Sequence, residues 1–230
     1  MKAKPVPADR RVALLEGGRA PDQARPVGVI LLAAGLGSRY LASLPIEHRD
    51  DAVDLHKLLA LMPDGRRVGQ VSADTARARF ETVLAIVRPD QMVLAAMFEA
   101  CGCRVLVTED ARRGMGASLA AGARWFDSQR NEAGAHRYRG CLVALADMPW
   151  IAAATLDAVA AHVAADAVVA PYFEDRRGHP VGFGALRLAA LGQLDGDKGA
   201  RDVLRDWPQH RVDVSDSGVI LDVDTVDDLR

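Results

Sequence analysis

The chain has 230 residues, of which 50% are hydrophobic, 26% charged and 5% aromatic, and its formal net charge at pH 7 is −2. This composition is typical of a soluble globular protein that can bury a sizeable core. The near-zero charge and the scarcity of aromatic side chains argue against binding to nucleic acid or to a membrane surface.

Residues 1–25, at the start of the chain, are rich in Pro, Gly and Arg and contain no long apolar run. They therefore lack the apolar segment of a secretory signal or of a membrane-spanning helix. We expect a flexible leader, followed by a single domain over residues 26–230, in a cytoplasmic protein.

The three cysteines, Cys101, Cys103 and Cys141, are odd in number and lack the spacing of a disulfide framework. A closed zinc site usually needs about four ligands, and no second cluster of Cys or His accompanies these residues. We expect buried or free thiols in a reducing compartment.

Five apolar runs without polar alternation predict buried strands, at residues 27–33, 82–87, 104–108, 141–146 and 167–173. Between them, helical periodicity predicts helices at about 89–100, 116–127 and 152–164. After Gly178 a glycine-rich hairpin, a short helix and two brief strands predict a small antiparallel extension that covers one sheet edge. The fold class is therefore α/β, a Rossmann-like and mostly parallel sheet with helices on both faces.

The stretch "VILLAAGLGSRYL", residues 29–41, runs from the first predicted strand into a glycine-rich turn. Gly35 and Gly37 can adopt positive φ and let backbone N–H groups approach an anion. Arg39 can add a planar charged fork to phosphate oxygens. The turn does not match G-x-G-x-x-G and no Walker lysine follows it, so by itself it is either a phosphate loop or an ordinary turn.

Carboxylates follow two of the later elements. Asp147 ends the fourth predicted strand in "ADMP", and Asp222 and Asp224 alternate in "LDVDTVDDL" on a predicted strand, which places them on one face. Mg²⁺ takes one or two carboxylates and shares its other positions with water and phosphate oxygens. The alternative for the last pair is a solvated strand end with a cap for a final helix.

Four further segments carry polar or glycine-rich patterns, and each is by itself typical of surface structure. Lys57 lies in "HKLLAL", and "GMGASLAAG" at 114–122 begins a helix whose first N–H groups favour an anion. "GHPVGFG" at 178–184 and "GDKGARDVL" at 196–204 are polar turns beside apolar anchors. We expect His179 in the first of these turns to be a structural donor.

The ordered set LAAG-x-G-x-R, K-L-L, GMG-x-S-L, A-D-M-P, G-x-P-x-G-F, G-D-x-G-A-R and D-x-D-T-x-x-D-L resembles the MobA-like nucleotidyltransferases. Within them it is most similar to the molybdenum cofactor cytidylyltransferase (MocA-like) group, over about Val27 to Leu229. The resemblance implies a fold like the nucleotide-diphospho-sugar transferases. It also implies Mg²⁺-dependent transfer of CMP from CTP to the terminal phosphate of molybdopterin, with release of pyrophosphate. The LAAG form, rather than the LAGG of the guanylyl branch, favours CTP over GTP.

The resemblance also assigns site residues. Catalysis would fall to Arg39, Lys57 and Asp147, and metal binding to Asp147 with Asp222 or Asp224. Nucleotide binding is assigned to Leu32, Ala33, Ala34, Gly35, Gly37, Ser38, Gly116 and Ser118. Acceptor binding is assigned to Gly178, Pro180, Gly182, Asp197 and Arg201. A transient contact with a client molybdoenzyme is also expected.

Three alternatives differ in class. The same fold could use GTP or another phosphorylated acceptor, such as a sugar phosphate or another pterin. The chain could instead be an inactive nucleotide-binding chaperone for a molybdoenzyme. A Rossmann oxidoreductase is disfavoured, because G-x-G-x-x-G is absent and no acidic residue is placed to follow a second strand.

Overall fold

The computed structural model describes residues 24–44, 56–197 and 207–229, which contain a mixed sheet of eight strands flanked by helices. The strands are β1 (Val27–Leu32), β2 (Val83–Val87), β3 (Arg104–Val107), β4 (Gly140–Leu145), β5 (Val168–Phe173), β6 (Arg176–Arg177), β7 (Val181–Gly184) and β8 (His210–Asp213). The helices are α1 (Ser38–Ser43), α2 (Val68–Arg77), α3 (Met92–Ala100), α4 (Met115–Ser128), α5 (Ala153–Ala161) and α6 (Leu188–Leu191).

The sheet confirms the predicted α/β class. Its strand order is β3-β2-β1-β4-β7-β5-β6, and β8 pairs with β5. Strands β1 to β4 are mutually parallel, as is the β5–β8 pair, whereas β7 is antiparallel to both β4 and β5. The open, mostly parallel half of the sheet carries its loops at the carboxyl ends of the strands, where ligands bind in such folds.

The glycine-rich segment after Gly178 differs from the expectation in position. It was expected to cover an edge, but β7 lies inside the sheet between β4 and β5. Glycine permits this close approach: a Cβ at Gly182 would lie 2.7 Å from Val163 Cγ2 and 3.4 Å from Val159 Cγ1, the first of which is shorter than real contacts. β7 therefore joins the two halves of the sheet rather than shielding one of them.

The strands alternate their side chains between two apolar cores. In β1, Val29 and Leu31 face one core with helices α2, α3 and α5, whereas Ile30 faces the other with α4 and α6. This alternation follows from the period of two along a strand. Continuous apolar runs are needed in the inner strands because both of their faces are covered, which is why these strands were recognisable in the sequence. The expectation of a buried strand was wrong for β3, which lies at the sheet edge and is only partly buried.

Helix α4 packs unusually close to β1. A Cβ at Gly122 would lie 2.8 Å from Ile30 Cγ2, and a Cβ at Gly28 would overlap the ring of Phe126. Leu119, Ala123 and Phe126 face inward, as their spacing predicts. Because the helix is fixed against the sheet in this way, its N-terminus is fixed at the carboxyl ends of the strands.

Three local elements differ from the sequence prediction. Helix α2 was not predicted, although it is amphipathic, because the face that it buries is made largely of small residues such as Gly69, Ala73 and Ala76. Residues 221–224 form no strand, and a 3₁₀ helix at Val226–Leu229 replaces the expected final helix. In the described residues near the end of the chain, only β8 forms a strand.

All three cysteines are free thiols, as expected. Burial raises the pKa of Cys101 to about 11 and the pKa of Cys103 and of Cys141 to about 12. They are therefore protonated at neutral pH and unreactive. No helix in the described ranges combines the length and the apolar character needed to cross a bilayer.

Candidate active site

Two adjoining cavities open at the carboxyl ends of β1, β2 and β4. The smaller, of about 290 Å³, contains Lys57 and three aspartates and is called the acidic cavity. The larger, of about 410 Å³, is bordered by three arginines and is called the arginine cavity. Six residues line both: Leu32, Gly35, Leu36, Met115, Leu145 and Asp147. Because these residues line both, the two cavities are adjacent.

The glycine loop forms the wall between the cavities. Gly37 has φ 63°, a left-handed conformation that favours glycine, and its carbonyl accepts the N–H of Leu41 at 2.9 Å as α1 begins. A Cβ at Gly35 would meet nothing within 4 Å, so that glycine leaves open space beside the backbone. The loop is therefore a turn that needs glycine and that also lies against a cavity.

Lys57 lies at the centre of the acidic cavity. Its Nζ donates to Asp147 Oδ2 at 2.6 Å and to Asp224 Oδ1 at 3.3 Å, and its side chain is only 12% exposed. It begins a 3₁₀ helix, Lys57–Leu59, that is anchored in the core by the buried Leu58 and Leu59. Two buried neighbours thus aim a lysine, which looked like a surface residue in the sequence, at both carboxylates.

The backbone itself brings Asp224 to Asp147. Val223 is fully buried, and its N–H donates to the backbone carbonyl of Asp147 at 2.9 Å. Asp222 and Asp224 both line the acidic cavity, with the buried Val223 between them. They therefore share a side, as their spacing predicted, although the segment is not a strand. The carboxylate of Asp228 accepts the N–H of Asp224 at 3.0 Å and fixes the next turn.

Arg39 also contacts this group. Its guanidinium forms an ion pair with Asp224, and 78% of its side chain is exposed. The resemblance assigned it to phosphate oxygens, and that role stays a prediction. Since the side chain is mostly exposed, it can move between the carboxylate and a ligand at little cost.

The carboxylates suit a hard divalent cation whose remaining coordination positions would be filled by other oxygens. Burial and the neighbouring Asp224 and Asp147 raise the pKa of Asp222, and Lys57 opposes this effect. Within the described residues no three or more His, Cys, Asp or Glu side chains are arranged to hold a metal ion by themselves. One or two of these carboxylates with substrate and water oxygens would match the preference of Mg²⁺.

The arginine cavity contains residues that the sequence analysis missed. Arg88 and Arg112 both pair with Asp90, at 3.0 and 3.2 Å, and Arg113 pairs with Asp195 at 2.8 Å. A sequence signal existed, because Arg88 directly follows β2 and Arg112 lies a few residues after β3, at the edge where ligands bind.

Some of the first N–H groups of α4 form hydrogen bonds within the chain itself. The Gly196 carbonyl accepts the N–H of Gly116 at 2.8 Å and of Ala117 at 3.4 Å. Gly116 is buried and lines neither cavity, and its assigned role in nucleotide binding stays a prediction. Ser118 lines the arginine cavity, and its hydroxyl donates to the Gly114 carbonyl at 3.0 Å.

The residues assigned to the acceptor are not together. Asp197 lines the arginine cavity, whereas Gly178, Pro180 and Gly182 are buried and line neither cavity. A Cβ at Gly178 would lie 2.6 Å from Val219 Cβ, so this glycine serves packing. Arg201 lies outside the described residues.

The neighbouring His179 makes structural contacts. Its backbone N–H donates to the Val219 carbonyl at 2.9 Å, and its ring Nδ1 lies 3.5 Å from the Val143 carbonyl. Burial lowers the pKa of His179, which favours the neutral ring.

The sequence match covers most of this site. The model of the MobA-like NTP transferase domain matches residues 29–214. The chain belongs to the MobA-like NTP transferase family. Its activity class is therefore nucleotidyl transfer, and the glycine loop, Lys57 and Asp147 all lie within the matched range. No curated protein matches the chain.

Solved structures share this fold. The chain is similar to Rv0371c from Mycobacterium tuberculosis H37Rv, at 28% identity and a TM-score of 0.69, covering 89% of this chain and 95% of that one. A structure of Rv0371c in complex with manganese is 25% identical, with a TM-score of 0.67 and coverage of 88% and 95%. A nucleotidyl transferase from Methanothermobacter, at 18% identity, a TM-score of 0.71 and coverage of 88% and 94%, supports the fold alone.

Proposed function

We propose that this MobA-like NTP transferase moves a CMP unit from CTP to the terminal phosphate of molybdopterin and releases pyrophosphate. The observation that carries the proposal is the Lys57 ammonium bonded to both Asp147 and Asp224 where two cavities meet. This arrangement concentrates charge of both signs where two phosphate-bearing substrates would come together.

The chemistry requires no protein nucleophile. An oxygen of the acceptor phosphate attacks the α-phosphorus of CTP, a new P–O bond forms, and the bond to the β-phosphate oxygen breaks as pyrophosphate leaves. Two polyanions must approach, so positioning and charge neutralisation supply most of the rate. Bound Mg²⁺ would neutralise charge on the phosphate oxygens, and Asp147 with Asp222 or Asp224 would hold it.

The remaining work falls to the protein's own residues. Lys57 places a fixed positive charge beside the α-phosphate, and the glycine loop gives its backbone N–H groups to the phosphates of CTP. Arg39 leaves Asp224 for a phosphate oxygen. Ser118 and the residues around it border the nucleoside side of the cleft, and Asp197 with Arg201 would contact the acceptor.

The choice of substrates rests on the sequence motif and on the shape of the site. The LAAG form of the loop favours CTP over GTP. Pockets that hold a small ligand have volumes of roughly 300–1,000 Å³. The two cavities, of about 410 and 290 Å³, lie near the lower end of this range. We further propose that the enzyme is cytoplasmic and that a client molybdoenzyme receives its product.

The test measures pyrophosphate release with molybdopterin as acceptor. The protein is incubated with CTP, GTP or ATP, each with and without Mg²⁺, and the nucleotide product is identified by mass. We expect release with CTP and Mg²⁺ only. Asp147→Asn should lower kcat by about 10²–10³-fold, the usual effect of removing one electrostatic contact to the reacting centre. Asp157→Asn, which alters a surface pair with Arg79, serves as the matched control.

The other possible outcomes would each contradict one part of the proposal. Turnover with GTP, or with a sugar phosphate in place of molybdopterin, would replace the proposed substrates within the same family. Nucleotide binding without release of pyrophosphate from any acceptor would contradict the proposal and favour a binding protein. Near-normal activity of Asp147→Asn would refute the role of that carboxylate.

A further inference from the structure

The carbonyl of Gly35, in the glycine loop, accepts two side-chain hydrogen bonds from distant parts of the chain. His56 Nε2 lies 2.7 Å from this oxygen and Gln91 Nε2 lies 3.2 Å from it. His56 directly precedes Lys57, and Gln91 is the N-cap residue of α3. Neither residue was singled out by the sequence, and neither has a role in the chemistry described above.

Both donors are oriented by backbone N–H groups. The N–H of Leu58 donates to His56 Nδ1 at 3.2 Å, so the ring proton is on Nε2 and points to Gly35. The N–H of Arg88 donates to Gln91 Oε1 at 3.0 Å, so the amide NH₂ also faces Gly35. Burial lowers the pKa of His56, which favours this neutral form. These contacts fix which atoms donate to Gly35, beside which the two donor nitrogens lie 3.2 Å from each other.

The consequence lies on the other side of the same peptide group. The Gly35–Leu36 peptide is trans, so its carbonyl and the N–H of Leu36 point in opposite directions. Leu36 lines both cavities, and among the described residues its N–H has no intramolecular backbone acceptor. An amide whose carbonyl already accepts hydrogen bonds is also a stronger donor at its N–H.

We propose that His56 and Gln91 are positioning residues that hold the Gly35 carbonyl, so that the N–H of Leu36 is presented to a phosphate of the bound nucleotide. This inference rests on the proposed nucleotide site and goes beyond it, because it assigns two residues and one donor atom. His56 thereby links the two parts of the site: its Nε2 holds the phosphate loop, and its Nδ1 caps the 3₁₀ helix that carries Lys57.

Substitutions at position 56 separate these two contacts. Gln can keep a donor at the distance of Nε2 and so retain the bond to Gly35. Asn can accept the N–H of Leu58 as an ordinary N-cap, but it is too short to reach Gly35. Leu keeps neither contact. Gln91→Leu removes the second donor, and Gln129→Leu, which alters a glutamine at the end of α4, is the matched control.

The experiment measures Kd for CTP and for inorganic pyrophosphate, each with Mg²⁺, by calorimetry, and the ¹⁵N–¹H shift of Leu36 on titration. We expect Kd to rise about tenfold for His56→Asn and His56→Leu and about threefold for Gln91→Leu, fractions of a charge-assisted hydrogen bond. The Kd of His56→Gln should stay within about twofold of that of the unsubstituted protein, and kcat should change less than KM in His56→Asn and Gln91→Leu, which leave the cap of the Lys57 helix in place. The Leu36 signal should move on binding in the unsubstituted protein and in His56→Gln.

Other results overturn the inference. If His56→Asn binds normally and His56→Gln does not, the histidine serves only as a cap for the Lys57 helix. If Leu36 does not respond to a ligand that binds, its N–H is not the donor. Binding of pyrophosphate without CTP would refute the proposed function while leaving the loop series to decide this inference. Binding of neither ligand would refute both.

Discussion

Lys57→Met removes the ammonium from the acidic cavity while keeping the aliphatic stem. A Cβ at Gly37 would lie 3.4 Å from Lys57 Cγ, so the stem packs near the glycine loop, and the unbranched Met side chain, one atom shorter than that of Lys, can fill the space of the stem. The substitution therefore tests charge rather than packing. It leaves Asp147 and Asp224 without their shared cation, next to Asp222.

The expected loss follows from the exposure of the three side chains. Lys57, Asp147 and Asp224 are 12%, 20% and 25% exposed. Removing one partner of a buried ion pair costs about 3–5 kcal/mol, whereas an exposed pair contributes about 0–1 kcal/mol. Since this group lies between those limits, we expect the free energy of unfolding to fall by about 2–3 kcal/mol. For a chain of this length that lowers Tm by about 4–12 °C.

The assay is thermal unfolding at pH 7 with and without Mg²⁺, with Arg39→Met as control. Arg39 pairs with Asp224 but is 78% exposed, so its loss should cost less than about 1 kcal/mol. A divalent cation should restore part of the Tm of Lys57→Met, because it can compensate the unpaired carboxylates. If Lys57→Met loses no more stability than Arg39→Met, the two bridges do not hold the site in solution and the reasoning fails.

Three further predictions concern single residues. Gly37→Val should lower Tm, because φ 63° costs a branched residue about 1–3 kcal/mol, and should raise the nucleotide Kd at least about tenfold. Gly65→Val, at φ 81° in an open turn, should lower Tm by a similar amount without changing the nucleotide Kd. If Gly37→Val and Gly65→Val have the same Kd, the glycine loop is only a turn. Asp222→Asn should raise Tm at pH 7. The folded-state pKa of Asp222 is raised, so the stability that its carboxyl contributes below pH about 3.8 is lost as pH rises through that pKa, and the gain on substitution should vanish in acid. Asp64→Asn should lower Tm at pH 7, since Arg66 lowers the pKa of Asp64. A change of Tm in the same direction for both variants would contradict this account. Gly114→Ala should raise the KM for the acceptor, because φ 121° is strained and a Cβ there would overlap Asp197, which is proposed to contact the acceptor. Gly134→Ala in open space should only lower Tm, and an unchanged acceptor KM for Gly114→Ala would separate the 195–197 turn from the site.

The sequence predicted the parallel core well, because each of these strands carries its own signal. β1 and β4 are covered on both faces, so they must be apolar throughout, and that pattern survives without any knowledge of their neighbours. The ends of these strands were equally readable. Asp147 and the glycine loop were found because a polar or glycine residue follows directly where an apolar run stops.

The antiparallel half was less predictable for a physical reason. The position of β7 between β4 and β5 depends on contacts of Gly182 with Val163 in a different segment. Nothing in the local sequence of β7 distinguishes an inserted strand from one at an edge. Helix α2 was missed because most of its six buried residues are small, so its buried face lacks the large apolar side chains of a typical core helix.

By itself the sequence determined the fold class, the family resemblance and the places where strands give way to polar residues. These properties are local, since hydrophobic period and turn chemistry act over a few neighbouring residues. Only the tertiary structure decided that Lys57 bridges Asp147 and Asp224 and that His56 and Gln91 meet at the carbonyl of Gly35. Such contacts join residues that are 21 to 167 positions apart, and their geometry is set by how the core packs between them.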